Sequence, residues 1–489
     1  MRDGERLSIT LPAAVGFVLS RLGDAGLEAA LVGGSVRDLV SGITPLDWDV
    51  ATAAPPEQVA SLFPDSAWEN RFGTVTVRAE GMEVEVTTYR HEGPYLDRRR
   101  PQHVRWGSSL REDLARRDFT VNALAWQPTD LAAGTGVLID PHDGIGDLQR
   151  HVLRAVGDPT ERFSEDALRM VRAVRFSTRL GLELEPRTAA AIREHAAGAA
   201  ALSGERVRDE LLRMLSAAPP ARPPSEALLL MQQLGLLEVL LPELAALSGV
   251  PQAKALAGNA LEHSVRTADA LPARLPLLRL AGLLHDLGKA TTLADGHFIG
   301  HEVEGAAAAE AVLQRLRLPR ADAARIVRLV RQHMFAYTPE WTDAAVRRFV
   351  RRVGVDLLDD LFALRGADNA ASGAKEPERG GLDELRSRVQ AVVAEGVLQQ
   401  GQLAIDGRDL IAELEVPRGP LIGELLGRLL EAVLDDPSLN RRDRLLDLAR
   451  HWARSGGASA HRQAVDAEGA EPADDDPAAT IGGPGAMPT

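Results

Sequence analysis

The chain has 489 residues, no cysteine, a formal net charge of −14 and 45% apolar residues. That length holds two to four domains. The missing cysteines exclude a disulfide framework and any thiolate metal site, and the acidic balance argues against indiscriminate nucleic-acid binding. Charge is nevertheless regional: residues 90–118 carry eight arginines against five acids, whereas the tail after Gly456 carries six acids against Arg462. Lysine is confined to Lys254, Lys289 and Lys375. A GC-rich genome explains that bias most simply, although arginine also suits bidentate phosphate contacts. No segment approaches the length of a membrane-spanning helix, and the opening M-R-D-G-E-R-L-S lacks a signal-type apolar run, so a cytoplasmic location is expected.

Residues 1 to about 150 mix helix and strand signals. The apolar run at residues 29–32 predicts a strand that ends in Gly33-Gly34-Ser35, followed by a helical segment closed at Gly42. Glycines that open a helix can turn backbone N–H groups toward phosphate, and Arg37, one turn in, is placed to reach it or simply to lie on an exposed face with Asp38. A second strand then carries Asp47 and Asp49, which alternation puts on one face with Trp48 on the other. Two adjacent carboxylates beside a phosphate turn form a donor set for divalent cations. Residues 72–77 and 82–89 alternate around Gly81 and predict a hairpin.

The run Arg116-Arg117-Asp118-Phe119-Thr120-Val121-Asn122-Ala123 follows the basic stretch. It reads either as a charged turn or as a nucleotide contact, Asp118 and Asn122 meeting a ribose hydroxyl and Arg117 a triphosphate oxygen. Helical patterning dominates from about 160 to 455. A helix over residues 165–175 would place Arg169, Arg172, Arg175 and Arg179 on one side and Ala167, Met170, Val171 and Val174 on the other. Those arginines are either solvated, with ion pairs to Glu165 and Asp166, or a rail along a triphosphate with Asp166 and Arg169 reading a base edge. Further on, His263, His285-Asp286 and Asp368 form an H…HD…D series on successive helices, a donor set for one metal ion, with His301 and His333 as additional ligands. Residues 455–489 lack an apolar pattern and read as disordered.

In combination, G-G-S-V-R-D with D-W-D, R-R-D-F-T-V-N-A, D-G-I-G-D-L at 143–148, E-D-A-L-R at 165–169 and E-R-V-R-D-E-L at 205–211 resemble the bacterial class II tRNA nucleotidyltransferases. That family of CCA-adding enzymes also includes bacterial poly(A) polymerases; the likeness spans roughly residues 25–455 and is greatest to the actinobacterial branch. The body resembles an HD-superfamily phosphohydrolase domain. The resemblance implies an α+β fold: a mixed-sheet head at 1–150, a helical neck at 151–218, a helical body at 219–455 with an HD domain at about 258–372, and an acidic tail at 456–489.

It further implies addition of C, C and A to tRNA 3′ ends from CTP and ATP, with tRNA as partner and no membrane. Asp47 and Asp49 would hold Mg²⁺, with Glu85 a weaker third carboxylate. Gly33, Gly34 and Arg37 would bind the triphosphate and Arg117 the incoming nucleotide. Asp166 and Arg169 would act as the amino-acid template, with Arg172 and Arg175 adding nucleotide contacts. His263, His285, Asp286 and Asp368 would hold a second divalent transition metal in the HD domain. The region Arg71-Phe72-Gly73-Thr74-Val75 replaces the basic segment typical of the poly(A) polymerases, and the loop over residues 92–114 is full length, unlike that of CC-adding relatives. An A-adding enzyme or poly(A) polymerase of the same family, and an HD-type metal phosphohydrolase as the main activity, remain the alternatives.

Overall fold

The computed structural model describes residues 1–69, 73–92, 104–107, 109–252, 258–373, 376–396, 399–414 and 418–454. Arg71 and Phe72, most of the loop over 92–114 and the acidic tail lie outside the described residues. Two compact units divide the chain, Met1–Phe335 with Asp359–Arg379, and Ala336–Leu358 with Gly380–Thr489. The segments 1–150 and 151–218 both fall in the first unit, whereas 336–358, inside the expected HD segment, belongs to the second.

The head is an eight-stranded mixed sheet. Its strands lie in the order Arg6–Ser8, Thr135–Ile139, Ala125–Asp130, Ala29–Val32, Asp49–Thr52, Met82–Thr88, Thr74–Ala79 and Ser66–Glu69. Its neighbours run antiparallel except Asp49–Thr52 and Met82–Thr88, which are parallel and pair Asp49 with Glu85. The central strand Ala29–Val32 is buried on both faces, which is why it reads as an unbroken apolar run. Ala29 and Leu31 join one apolar cluster with Val18, Val50, Val86 and Trp126; Ala30 and Val32 join another with Ala51, Tyr89 and Leu114. The expected hairpin is present, Thr74–Ala79 pairing antiparallel with Met82–Thr88.

Two local expectations are corrected. Asp47 does not lie in a strand: the strand begins at Asp49, and Asp47 sits on the approach to it. Alternation still holds there, because Trp48 is buried while Asp47 is exposed. The helix expected over 165–175 is two helices, Pro159–Glu165 and Leu168–Leu180, separated by Asp166 in an extended conformation at φ −146°. The Asp166 carboxylate explains the break, since Oδ1 accepts the backbone N–H of Leu168 at 3.0 Å and so satisfies a donor at the start of the second helix.

Beyond the neck, helices Ala260–Ala270, Pro276–Leu284, His301–Arg315, Arg320–Gln332 and Leu358–Ala371 form the helical body of the first unit. The second unit is helical too. There Arg347 Nη1 donates to the Leu434 carbonyl at 3.0 Å, and Arg348 pairs with Asp435 at 2.6 Å, joining Asp343–Val353 to Pro420–Asp435.

Trp126 is the largest fully buried side chain of the head, and its indole N–H donates to the Leu7 carbonyl at 3.0 Å. Trp126→Ala is expected to destabilise the first unit by about 3–5 kcal/mol, measured as a shift of the urea unfolding midpoint.

Candidate functional site

Gly33 ends the central strand with φ +73°, a left-handed conformation that a side chain would strain. The turn also packs closely on a distant arginine: a Cβ would stand 2.5 Å from Arg117 Nη1, so that guanidinium would have to move aside. The turn is therefore shaped around an arginine that arrives from far along the chain. Its phosphate-binding capacity is smaller than the sequence implies, because the Gly33 N–H already donates to the Leu124 carbonyl at 2.9 Å. Gly34 opens the helix Gly34–Val40, and Arg37 on that helix is only 7% exposed rather than lying on an open face. Its guanidinium is held by Asp38 at 2.7–2.8 Å and donates from Nη1 to Asn122 Oδ1 at 2.6 Å.

The carboxylates gather at the adjacent strand. Asp49 is half-buried, Glu85 is its register partner, and Asp47 is two residues away. Burial first, then Glu85 and Asp47, push the Asp49 carboxyl up to about 6, against a lowering by Arg117. Oxygen donors that repel one another in this way fit a hard divalent cation, whose charge would relieve the repulsion. Arg117 stands between the carboxylates and the glycine turn. It donates to Asp113 at 3.4 Å and to the Asn122 carbonyl at 3.3 Å, and its Nε is buried without a partner among the described residues.

The neck joins the head through Asp118. Its Oδ1 accepts the Phe119 N–H at 2.9 Å and Asn122 Nδ2 at 3.2 Å, while Oδ2 accepts both Nε and Nη2 of Arg172 at 2.7 and 2.6 Å. Burial opposes the charge on Asp118, but Arg172, together with these hydrogen bonds, holds its carboxyl below the ordinary range. Asp118 and Asn122 thus face Arg172 and Arg37 rather than standing open to a ribose. Arg169 is buried, paired with Glu165, and donates to the carbonyls of Arg162 at 3.2 Å and Arg116 at 3.0 Å.

Of the two readings of the arginine face, a solvated one does not hold for most of it: Arg169 and Arg175 are buried, Arg172 is intermediate, and Arg179 is exposed. Arg175 is paired with buried Glu210. Asp166 accepts from Arg206 at 2.7 Å, so its partner is not Arg169. Arg206 and Glu210 were not singled out from the sequence, although their i,i+4 spacing within Gly204–Leu215 sets them on one helix face.

The second cluster lies in the helical body, where His263, His285, Asp286, His301, His333 and Asp368 are all buried. His263 Nε2 is 3.0 Å from Asp368 Oδ1 and 3.5 Å from Asp286 Oδ2; His285 Nε2 is 3.2 Å from Asp286 Oδ2. The other oxygen of Asp286 faces His301 Nε2 at 3.6 Å and His333 Nε2 at 3.8 Å. Nδ1 of His285, His301 and His333 lies 2.7–2.8 Å from the carbonyls of Gly282, Phe298 and Val330. Those carbonyls fix the tautomer in which Nε2 presents a lone pair.

Nε2 of His301 and His333 is buried without a hydrogen-bond partner among the described residues. Burial pushes His301 down and His333 down to about 3, so both are neutral imidazoles at physiological pH. Burial opposes the charge of Asp286, but His285 and then Lys289, whose Nζ is 2.7 Å from Oδ2, hold its carboxyl well below the usual range. Gly288 lets this turn approach its neighbour, since a Cβ there would stand 2.1 Å from the His301 carbonyl. Neutral imidazoles around an ionised carboxylate fit a divalent metal, and the two Asp286 oxygens, facing different histidine pairs, can bridge two ions.

Because the Asp49 carboxyl is raised, it binds protons more tightly folded than unfolded. Its contribution to metal-free stability is present below about pH 4 and lost as pH rises through about 6. In EDTA, Asp49→Asn is expected to stabilise the protein above pH 6 by at most about 3 kcal/mol, with no gain at pH 4, read by thermal melts across that range.

A poly A polymerase head domain model matches residues 29–154, a model for the probable RNA and SrmB-binding site of polymerase A matches 181–247, and an HD domain model matches 259–371. The chain is 48% identical over 215 residues to the CCA-adding enzyme of Lacticaseibacillus paracasei, covering 43% of this chain and 52% of that protein. It thus spans about half the length of such curated relatives. It is 37% identical over 425 residues to the A-adding tRNA nucleotidyltransferase of Deinococcus radiodurans, covering 83% of this chain and 91% of that one. Among solved structures, the Bacillus stearothermophilus CCA-adding enzyme in complex with CTP aligns with a TM-score of 0.66 at 29% identity, over 90% of this chain and 97% of that one. With the head motifs assembled around one carboxylate cluster and a relative aligned along most of both lengths, the chain belongs to the tRNA nucleotidyltransferase/poly(A) polymerase family.

Proposed function

We propose that the protein is a template-independent nucleotidyltransferase that adds C, C and A to the 3′ end of tRNA from CTP and ATP, with Mg²⁺ as cofactor. The observation that carries this reading is the convergence of Asp47, Asp49 and Glu85 with Arg117 and the Gly33 turn, closed over by neck arginines. The matched CCA-adding enzymes, one of them in complex with CTP, support it.

In this reading Asp47 and Asp49 hold the cation, with Glu85 beside them. Mg²⁺, when bound, supplies Lewis-acid charge at the α-phosphate and the attacking oxygen. The tRNA 3′-hydroxyl attacks the α-phosphate in line and pyrophosphate leaves, so the protein's contribution is mainly positioning and charge neutralisation. Gly33, Gly34 and Arg37 border the triphosphate, and Arg117 and Arg172 receive the nucleotide. Asp166 and Arg169 present an acceptor and a donor fork to the base edge, once Arg169 exchanges its contacts with Glu165 and backbone carbonyls for the base. Arg175, whose Nε is paired with the buried carboxylate of Glu210, serves by holding the helix rather than by touching nucleotide.

The test supplies CTP and ATP separately to tRNAs truncated at successive positions of the terminus. C is expected to be added to tRNA lacking the whole terminus, and A only to tRNA ending in CC. Addition of A alone would make the protein an A-adding enzyme, like the Deinococcus relative; addition of neither would overturn the reading. Asp47→Ala is expected to lower addition by at least about a hundredfold.

The buried His/Asp cluster favours a second activity, metal-dependent phosphohydrolysis at a site of its own built on His263, His285, Asp286 and Asp368, with a divalent transition metal. Asp286→Asn is expected to weaken metal binding, read by calorimetry, by about tenfold or more while leaving nucleotide addition intact. Hydrolysis of a phosphomonoester by Asp47→Ala at the wild-type rate would separate the two sites; parallel loss of both activities in folded Asp47→Ala would contradict that separation.

A further inference from the structure

Phe176 is buried in the neck helix Leu168–Leu180, four residues after Arg172 and next to Arg175. Three guanidinium groups surround its ring, with Cζ atoms at 4.1 Å for Arg175, 5.2 Å for Arg172 and 5.8 Å for Arg37. Each lies within the range at which a cation is attracted to an aromatic ring. Phe119, from the head, meets the ring edge-on at 5.9 Å and 71°, which sets its orientation. Three like charges gathered in a buried site repel one another. Asp38 balances Arg37, Asp118 balances Arg172 and Glu210, shared with Arg213, balances Arg175, so each arginine has a different carboxylate. The ring is a surface that all three share, and it joins an arginine of the head to two of the neck.

We infer that Phe176 is a positioning residue for nucleotide binding, its ring fixing Arg37 of the phosphate turn relative to Arg172 and Arg175. This rests on the nucleotidyltransferase reading above. An aliphatic side chain would fill most of the same space but present no ring quadrupole, leaving Arg37 to be set by Asp38 and Asn122 alone. Because the triphosphate is common to both substrates, the loss falls on CTP and ATP alike and spares the tRNA.

The experiment compares the full-length wild type with Phe176→Leu, Phe176→Met and Phe176→Tyr, alone and combined with Arg37→Met. Equilibrium binding of CTP and ATP is measured by calorimetry with Mg²⁺ present, alongside steady-state addition to truncated tRNA. Phe176→Leu and Phe176→Met are expected to raise Kd and KM for both nucleotides about tenfold, with the KM for tRNA unchanged. Phe176→Tyr, which keeps the ring, restores nucleotide binding. Combined with Arg37→Met, the aliphatic variants add less than the product of the single effects, since both remove one contact. Unchanged nucleotide affinity, an equal rise in KM for tRNA, multiplicative single effects, or a Phe176→Tyr no better than Phe176→Leu would each overturn the inference. A wild type that neither binds nor adds either nucleotide would instead overturn the nucleotidyltransferase reading, and the inference with it.

Discussion

The ion pair between Asp118 and Arg172 is the contact on which the arrangement of the first unit turns. A buried carboxylate is tolerated only when it is paired and its remaining lone pairs are used, and Asp118 meets both conditions: Arg172 takes one oxygen, and Phe119 N–H with Asn122 take the other. Asn122 in turn accepts from Arg37, so one continuous chain of charged and polar groups runs from the helix after the glycine turn, through the R-R-D-F-T-V-N-A motif, to the neck helix. Arg169 reinforces the join by donating to the Arg116 carbonyl. Removing any member leaves a desolvated charge behind, which ties the placement of each arginine to the placement of the others.

The two clusters of cation-binding type differ in chemistry as well as place. The head offers carboxylate oxygens at the end of a sheet, with Asp47 and Glu85 exposed and only Asp49 half-buried, an openness that the proposed nucleotidyl transfer requires. The helical body offers four buried imidazoles around Asp286 and Asp368, three of them, His285, His301 and His333, oriented by backbone carbonyls. Hard cations favour the first set and transition metals the second. Lys289 sharpens the contrast. In a chain that uses arginine almost everywhere, a compact ammonium meets Asp286 Oδ2 at 2.7 Å.

The residues of the sequence motifs divide into two groups by what they touch. Some act on the carboxylate cluster, as Arg117 does through its charge, or pack on that arginine, as Gly33 does. Others brace those that do. Asp147, within D-G-I-G-D-L, accepts from Thr120 and Arg154 at 2.6 and 2.9 Å; Arg206 and Glu210, within E-R-V-R-D-E-L, hold Asp166 and Arg175. A motif in such a protein is as often a brace as a ligand.

Several features were determined by the sequence alone because they depend on near neighbours. The hairpin around Gly81, the buried strand before Gly33, the opposition of Trp48 to Asp47 and the H…HD…D order all follow from alternation, spacing and residue type. Tertiary structure decided the rest. The break at Asp166 was invisible to periodicity, because an aspartate can sit on the polar face of a continuous helix or cap a new one, and only the carboxylate's capture of the Leu168 N–H shows which. Whether an arginine faces solvent or a carboxylate could not be read from one helix: Arg175 is buried because Glu210 arrives on another, and Arg37 because Asn122 does. The glycine turn and the Asp47–Asp49 pair were legible as separate local signals. That Arg117 lies against both follows from the fold, since long-range contacts between charged groups leave no periodic trace in the chain that makes them.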